Sequence, residues 1–383
     1  MSGPWSAPFP TRYWHLLGDG RVQCDVCPRA CKMRPGQRGV CFVRGRPDLG
    51  ADGGDTDGGG DGGSALDDGV VLLTYGRSSG YCVDPVEKKP LDHFLPGSSV
   101  LSFGTAGCNL ACRFCQNWDI SKSKEMDTLA DAATPEGIAA AARRLGCRSV
   151  AFTYNDPTIF LEYAADVADA CHEVDVRAIA VTAGYICPEP RRDLYSHLDA
   201  LNVDLKGFTE EFYRHVCGAR LAPVLETLEY LRHETDLWFE ITTLLIPGRN
   251  DGDAELDALT QWVAGHLGPD VPLHFTAFHP DYKMRDVPPT PPATLTRARA
   301  WGLRNGLRFV YTGNVHDRAG SSTWCPGCGA LLVERDWYEL GAWHLTDDGR
   351  CRSCDHRIPG RFDGPPGSWG ARRLPVRLAV EAR

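Results

Sequence analysis

Residues 107–118 read GCNLACRFCQNW. Cys108, Cys112 and Cys115 fall within eight residues there, followed by an amide and a tryptophan. Three thiols at this spacing want a common partner, and soft thiolates select zinc, copper(I) or iron–sulfur centres. A closed site takes four ligands, whereas three leave one position for an exogenous ligand. The stretch directly follows the apolar run SVLSFGT, so it reads as a metal-binding loop at the end of a strand.

Outward from this loop, apolar runs alternate with helical stretches. The strand-like runs are VVLLTYG, SVLSFGT, SVAFTYN, AIAVTAG, ALNVDLK, WFEITTLLI, LHFTAFH and RFVYTGN. Between them the pattern predicts helices over 135–145, 159–174, 222–233, 254–267 and 292–305, several opening after Asp, Thr or Pro. Such alternation predicts an α/β chain of parallel βα units. About six units suit a partial (β/α)6 barrel related to the TIM barrel, with its chemistry at the C-terminal strand ends. Those ends collect Cys108, Cys112, Cys115, Asn155, Asp156, Thr182, Asp204, Lys206 and His279. Asp204 and Lys206 fall on one face of a strand, where a simple salt bridge is the plain alternative. Six polar strand ends around a metal loop favour a site.

The chain has 383 residues, 43% of them hydrophobic, with a formal charge of −9. The negative charge is concentrated in residues 46–69, a Gly/Asp tract with seven aspartates and one arginine. It cannot bury apolar area and is expected to be disordered; a calcium-binding repeat would need a fixed period that is absent. No basic stripe of the kind phosphate backbones require is present, so charge does not imply nucleic acid. There is no apolar run long enough for a membrane helix, and MSGPWSAPFPTRYWHLL lacks the pattern of a signal peptide. A cytoplasmic location is the expectation.

Eleven of the sixteen cysteines fall in three clusters. Cys325-x2-Cys328 and Cys351-x2-Cys354 have the spacing of a zinc ribbon, with an auxiliary iron–sulfur centre as the rival. Cys24, Cys27, Cys31 and Cys41 lie in a segment too poor in apolar residues to fold alone. Zinc and a second iron–sulfur cluster remain open there. Cys82, Cys147, Cys171, Cys187 and Cys217 read as small buried hydrophobes. The expected organisation is a four-cysteine module (1–45), the Gly/Asp insert (46–69), a core barrel (70–318, with its cluster loop at 104–118) and a zinc-ribbon-like module with a tail (319–383).

Cys-x3-Cys-x2-Cys with Phe114 before the third cysteine resembles the signature of radical S-adenosylmethionine (SAM) enzymes. Further pieces, among them CDVCPRACKMRPGQRGVCFVR, VDPVEKKPLDHFLPG, FTYNDPTIFLEY, NVDLKGF, LLIPGRND, FHPDYKMRDVPPT and VYTGNVHD, make nearly the whole chain resemble the radical SAM enzymes of the AmmeMemoRadiSam system. These are relatives of pyruvate formate-lyase activating enzymes. The resemblance implies a [4Fe–4S] cluster on Cys108, Cys112 and Cys115. Its open iron would chelate SAM, and reductive cleavage would give a 5′-deoxyadenosyl radical that abstracts hydrogen from an unknown substrate. It implies SAM contacts at Asn155, Asp156, Thr182, Asp204, Lys206 and His279. Asp156 stands where that family has glutamate, and Thr182 lies in a segment lacking the relatives' acid. An electron donor such as flavodoxin or ferredoxin, and MEMO-like and AMMECR-like partners, are implied as well. A glycyl-radical activating enzyme is the nearest alternative. From another class, the rival is a zinc-binding scaffold or nucleic-acid-binding protein; the charge and the missing fourth cysteine argue against it.

Overall fold

Fully buried runs such as Ser99–Phe103 and Ser149–Phe152 can be covered only in the middle of a sheet with helices on it. The computed structural model, which describes residues 8–48, 69–123, 129 and 131–378, places them there. The central sheet has nine strands: β1 (Tyr81–Pro85), β2 (Ser99–Phe103), β3 (Ser149–Phe152), β4 (Arg177–Thr182), β5 (Ala200–Asp204), β6 (Trp238–Leu245), β7 (Leu273–Ala277), β8 (Val310–Gly313) and β9 (Leu374–Val376). Their order is β8-β7-β6-β5-β4-β3-β2-β1-β9. Strands β2 to β8 are parallel, and β1 and β9 are added antiparallel at one edge. Six βα crossovers thus link seven parallel strands, and β8 and β9 are free edges, so the barrel is partial rather than closed.

Six longer helices cover the sheet: α1 (Pro135–Arg144), α2 (Leu161–His172), α3 (Pro188–Ser196), α4 (Ala222–Glu234), α5 (Asp253–Trp262) and α6 (Pro292–Arg304). Local chemistry sets their ends. Thr134 caps α1 by accepting from the Gly137 N–H, and Pro135 follows at the first helical position. Helix α1 then buries Ile138, Ala139, Ala141 and Ala142 and turns Arg143 and Arg144 toward its C-terminus, where the helix dipole favours cations.

Two expectations need correction. The run VVLLTYG is not a strand of the central sheet: only Val71–Leu72 is extended, in a small antiparallel sheet with Phe9–Pro10 and Arg44–Gly45. Its place at the edge goes to β1, whose sequence YCVDP carries Asp and Pro and so looks unlike a strand. Helix α3, whose sequence carries Pro188 and Pro190, is also absent from the expected helices. Both lie in its first turn, where proline is tolerated.

The segment around Cys24–Cys41 packs into the same apolar core as the sheet, through Val22, Val26, Met33 and Val43. A buried bidentate pair fastens it, with Arg44 donating from both Nη atoms to Glu162 of α2 at 2.7 Å. The C-terminal region forms its own antiparallel sheet, Thr323–Trp324, Leu331–Asp336 and Glu339–Trp343. Its core of Leu332, Val333, Leu345, Ile358 and Phe362 is continuous with Phe309 and with Tyr311 of β8. Residues 49–68, nearly all of the Gly/Asp tract, lie outside the described residues. Among the described residues, no helix is long and apolar enough to cross a membrane.

Candidate active site

The cysteine loop leaves β2 and is held from three sides. Asn155, after β3, donates from Nδ2 to the carbonyls of Ala106 (3.4 Å) and Gly107 (2.9 Å), and its Oδ1 accepts from the Thr105 N–H. From the segment after β5, the Cys217 and Val216 carbonyls accept from the Ala111 and Arg113 N–H groups. From the N-terminal region, the Cys41 carbonyl presses on Gly107, where a β-carbon would collide with it. Gly107 also has φ +79°, so glycine is required there twice over.

This staple points Cys108, Cys112 and Cys115 into one cavity of about 350 Å³. That is the lower end of the range for small-molecule sites. Asn155, Asp156, Asp204 and Lys206 share its wall. Lys206 donates to Asp204 at 2.8 Å, so the salt bridge weighed in the sequence does form, and it forms in the wall of the cavity. Burial opposes the charge on Lys206, but Asp204 and the Cys112 thiolate hold its ammonium well above the usual range. Cys112 is pushed down to about 6, first by a hydrogen bond from Cys217, with burial opposing and then Lys206 and Lys122 assisting. Burial drives Cys108 the other way, up to about 12.

Not every expected residue has a free polar group. Asp156 is buried, and its carboxylate accepts from the Thr158 and Ala183 N–H groups and the Thr182 hydroxyl. Thr182 therefore reaches the site through Asp156 and is not itself in the wall. Asn155 is engaged by the cluster loop. His279 is exposed and lies outside the cavity wall.

The cavity also runs to residues that strand-end reasoning passed over. Lys88 and Lys89 both pair with Asp84, at 3.0 and 2.8 Å, and Tyr154 donates to the same carboxylate at 3.0 Å. Tyr154 has φ +72°, a strained backbone of the kind that collects at functional sites. Tyr338 also lines the cavity. It belongs to the two-residue turn joining Leu331–Asp336 to Glu339–Trp343. Trp337 in that turn has φ +61°, where Gly, Asn or Asp is favoured. The VDPVEKKP stretch carried the signal for the lysines; for Tyr338 the sequence carried none.

The other cysteine groups differ in geometry. Cys325, Cys328, Cys351 and Cys354 have all four sulfurs within 4.8 Å of one another, with contacts of 3.6 Å (Cys325–Cys354) and 3.8 Å (Cys328–Cys351). Zn–S bonds of ~2.3 Å in a tetrahedron put the sulfurs ~3.8 Å apart, so this group is shaped to hold a single metal ion. Cys24, Cys27, Cys31 and Cys41 line a second, small cavity.

Residues 103–259 match the family model described as the Radical SAM superfamily. The chain is 38% identical over 347 residues to the uncharacterised protein MJ0808 of Methanocaldococcus jannaschii, covering 90% of this chain and 97% of that protein. Among solved structures, a domain of a pyruvate-formate lyase-activating enzyme from Bacteroides vulgatus is similar at 16% identity and a TM-score of 0.39, over 43% of this chain and 98% of that one. A radical SAM methyltransferase from Sphaerobacter thermophilus is similar at 18% identity and a TM-score of 0.45, over 62% and 71%. The all-thiol set facing a cavity with a fixed ammonium suits a [4Fe–4S] cluster with SAM on its open iron. The chain carries a Radical SAM domain over residues 103–259 and belongs to the same family as MJ0808.

Proposed function

We propose that this protein reductively cleaves SAM in the 350 Å³ cavity and uses the product to take hydrogen from a substrate bound toward Lys88, Lys89 and Tyr338. The observation that carries the reading is that three cysteines and the Lys206–Asp204 pair share one wall. When bound, the cluster and SAM supply a 5′-deoxyadenosyl radical; the protein supplies binding, orientation and shielding. Cys108, Cys112 and Cys115 hold the cluster. Lys206, fixed by Asp204, offers a point charge to the SAM carboxylate. Asn155, Asp156 and Thr182 act one step back, holding the loop and the β3 and β4 ends in register. Leu110, Phe114, Val181 and Leu244 give the cavity apolar walls that limit water.

In the cavity wall, Lys88 and Lys89 share one carboxylate, which leaves a net positive charge for an anionic substrate group. In the C-terminal group we place zinc, which folds the module carrying Tyr338. We retain the division into an N-terminal four-cysteine module, a core at 70–318 and a C-terminal module from 319. On resemblance alone we also propose membership of the AmmeMemoRadiSam system and a flavodoxin- or ferredoxin-type electron donor, and we retain the expectation of a cytoplasmic location. The test is 5′-deoxyadenosine formation by anaerobically reconstituted, reduced protein. Yield no higher than that of a Cys112→Ala control, with extracts supplied as substrate, removes the support for catalysis.

A further inference from the structure

Cys24, Cys27, Cys31 and Cys41 line a space in which the centre of a water-sized sphere can range over about 20 Å³. Four thiolates drawn onto one tetrahedral ion leave no such space between them. The C-terminal quartet shows that closed arrangement. Among the described residues, it is the one group in which three or more metal-ligating atoms lie within 4.8 Å of one another. The N-terminal sulfurs are therefore spread more widely. A cubane cluster demands this, because each cysteine binds a separate iron at a separate corner.

Two arginines supply an independent observation. Arg29 and Arg44 both line this small cavity. Arg44 spends its Nη atoms on Glu162, and Arg29 spends Nε on the Asn109 carbonyl at 2.8 Å. Arg44 Nε and Arg29 Nη2 are buried with no partner among the described residues. A buried donor left unmade is costly, so two of them on residues lining one cavity point to a missing acceptor. A zinc ion adds no acceptor beyond the four thiolates already lining the cavity. The bridging sulfides of a cubane accept N–H hydrogen bonds, and two guanidinium groups balance the negative charge of a cluster on four thiolates. Val26, Met33 and Ile159 complete an apolar wall, and Cys24 and Cys41 are buried, whereas Cys328 and Cys354 of the C-terminal group are exposed.

We propose that Cys24, Cys27, Cys31 and Cys41 hold a second [4Fe–4S] cluster, hydrogen-bonded by Arg29 and Arg44. It would lie behind the catalytic loop, since Cys41 touches Gly107 and Asn109 borders the small cavity. The assignment does not depend on SAM cleavage and is tested without it. The full-length Cys108→Ala/Cys112→Ala/Cys115→Ala protein, reconstituted anaerobically with iron, sulfide and zinc, is expected to keep about four irons and four sulfides per chain. Zinc in place of that iron, or no metal beyond the C-terminal site, overturns the proposal. Should the triple variant fail to fold, Cys24→Ala/Cys27→Ala in the otherwise intact chain gives the complementary reading. Its iron is expected to fall by half with zinc unchanged; iron equal to the unsubstituted protein, with zinc lost, overturns it.

Discussion

Asn155 Nδ2 donates to the Gly107 carbonyl at 2.9 Å, tying the end of one strand to the residue just before the first cluster cysteine. The amide is buried and bonds the loop at both of its ends. Replacing Asn155 with alanine strands the Thr105 N–H and the Gly107 carbonyl, at a cost of about 1–3 kcal/mol. Asn155→Ala is expected to retain less iron at the catalytic loop and to melt earlier. Iron content and melting temperature equal to the unsubstituted protein would sink this assignment.

Lys206 is held charged by Asp204 and faces the cysteine cavity. Charge-assisted hydrogen bonds contribute about 1.5–3 kcal/mol, so Lys206→Ala is expected to weaken SAM binding roughly 10- to 100-fold. Cluster assembly should be unaffected. Calorimetry on the reconstituted protein checks both, and unchanged SAM affinity would exclude the ammonium as a SAM contact.

Glu87 is buried beside Gly97, and burial pushes its carboxyl up to about 7 against the pull of Arg335. A raised carboxyl binds its proton more tightly in the folded chain. Its stabilisation is complete below about 4.5 and is lost as pH rises through about 7. Glu87→Gln keeps the shape and removes the titration. The variant is expected to gain roughly 1–3 kcal/mol over the parent at pH 8 and less at pH 5.5. Urea unfolding at the two pH values reads this directly; a gap that does not widen with pH contradicts it.

The exposed pair Cys328 and Cys354 gives access to the C-terminal site without touching the core. A structural zinc contributes on the order of 10 kcal/mol of binding free energy at neutral pH. Cys328→Ser/Cys354→Ser is expected to lose one zinc per chain, keep its iron and show a new early unfolding transition. Zinc retained in the double variant would show that the quartet is not its site.

Much of this was open to reading in the linear order of residues. The spacing of Cys108, Cys112 and Cys115 is short-range information, and so is the strand–helix alternation that places the loop at a strand end. Buried parallel strands read as apolar runs, so β2 to β8 were all legible. Strand β1 was not, because Asp84 and Pro85 are unlike a strand residue by residue. Asp84 is tolerated only because Lys88, Lys89 and Tyr154 surround it.

The roles of Asn155 and Asp156 show the limit more sharply. Sequence puts both at the site, but only the fold shows that their polar atoms are spent on the loop and on β4. His279 shares the same strand-end logic and is still exposed and outside the cavity wall, since position after a strand does not fix the course of a loop. The sequence by itself determined which residues carry thiol chemistry and which strands bring them to one end of the sheet, because ligand spacing and hydrophobic period are local. Tertiary structure alone decided how far apart each set of sulfurs stands and which buried arginines face them. It also decided that a turn of the C-terminal module reaches the cavity. Those are distances between segments far apart in the chain, set by packing and not by any local pattern.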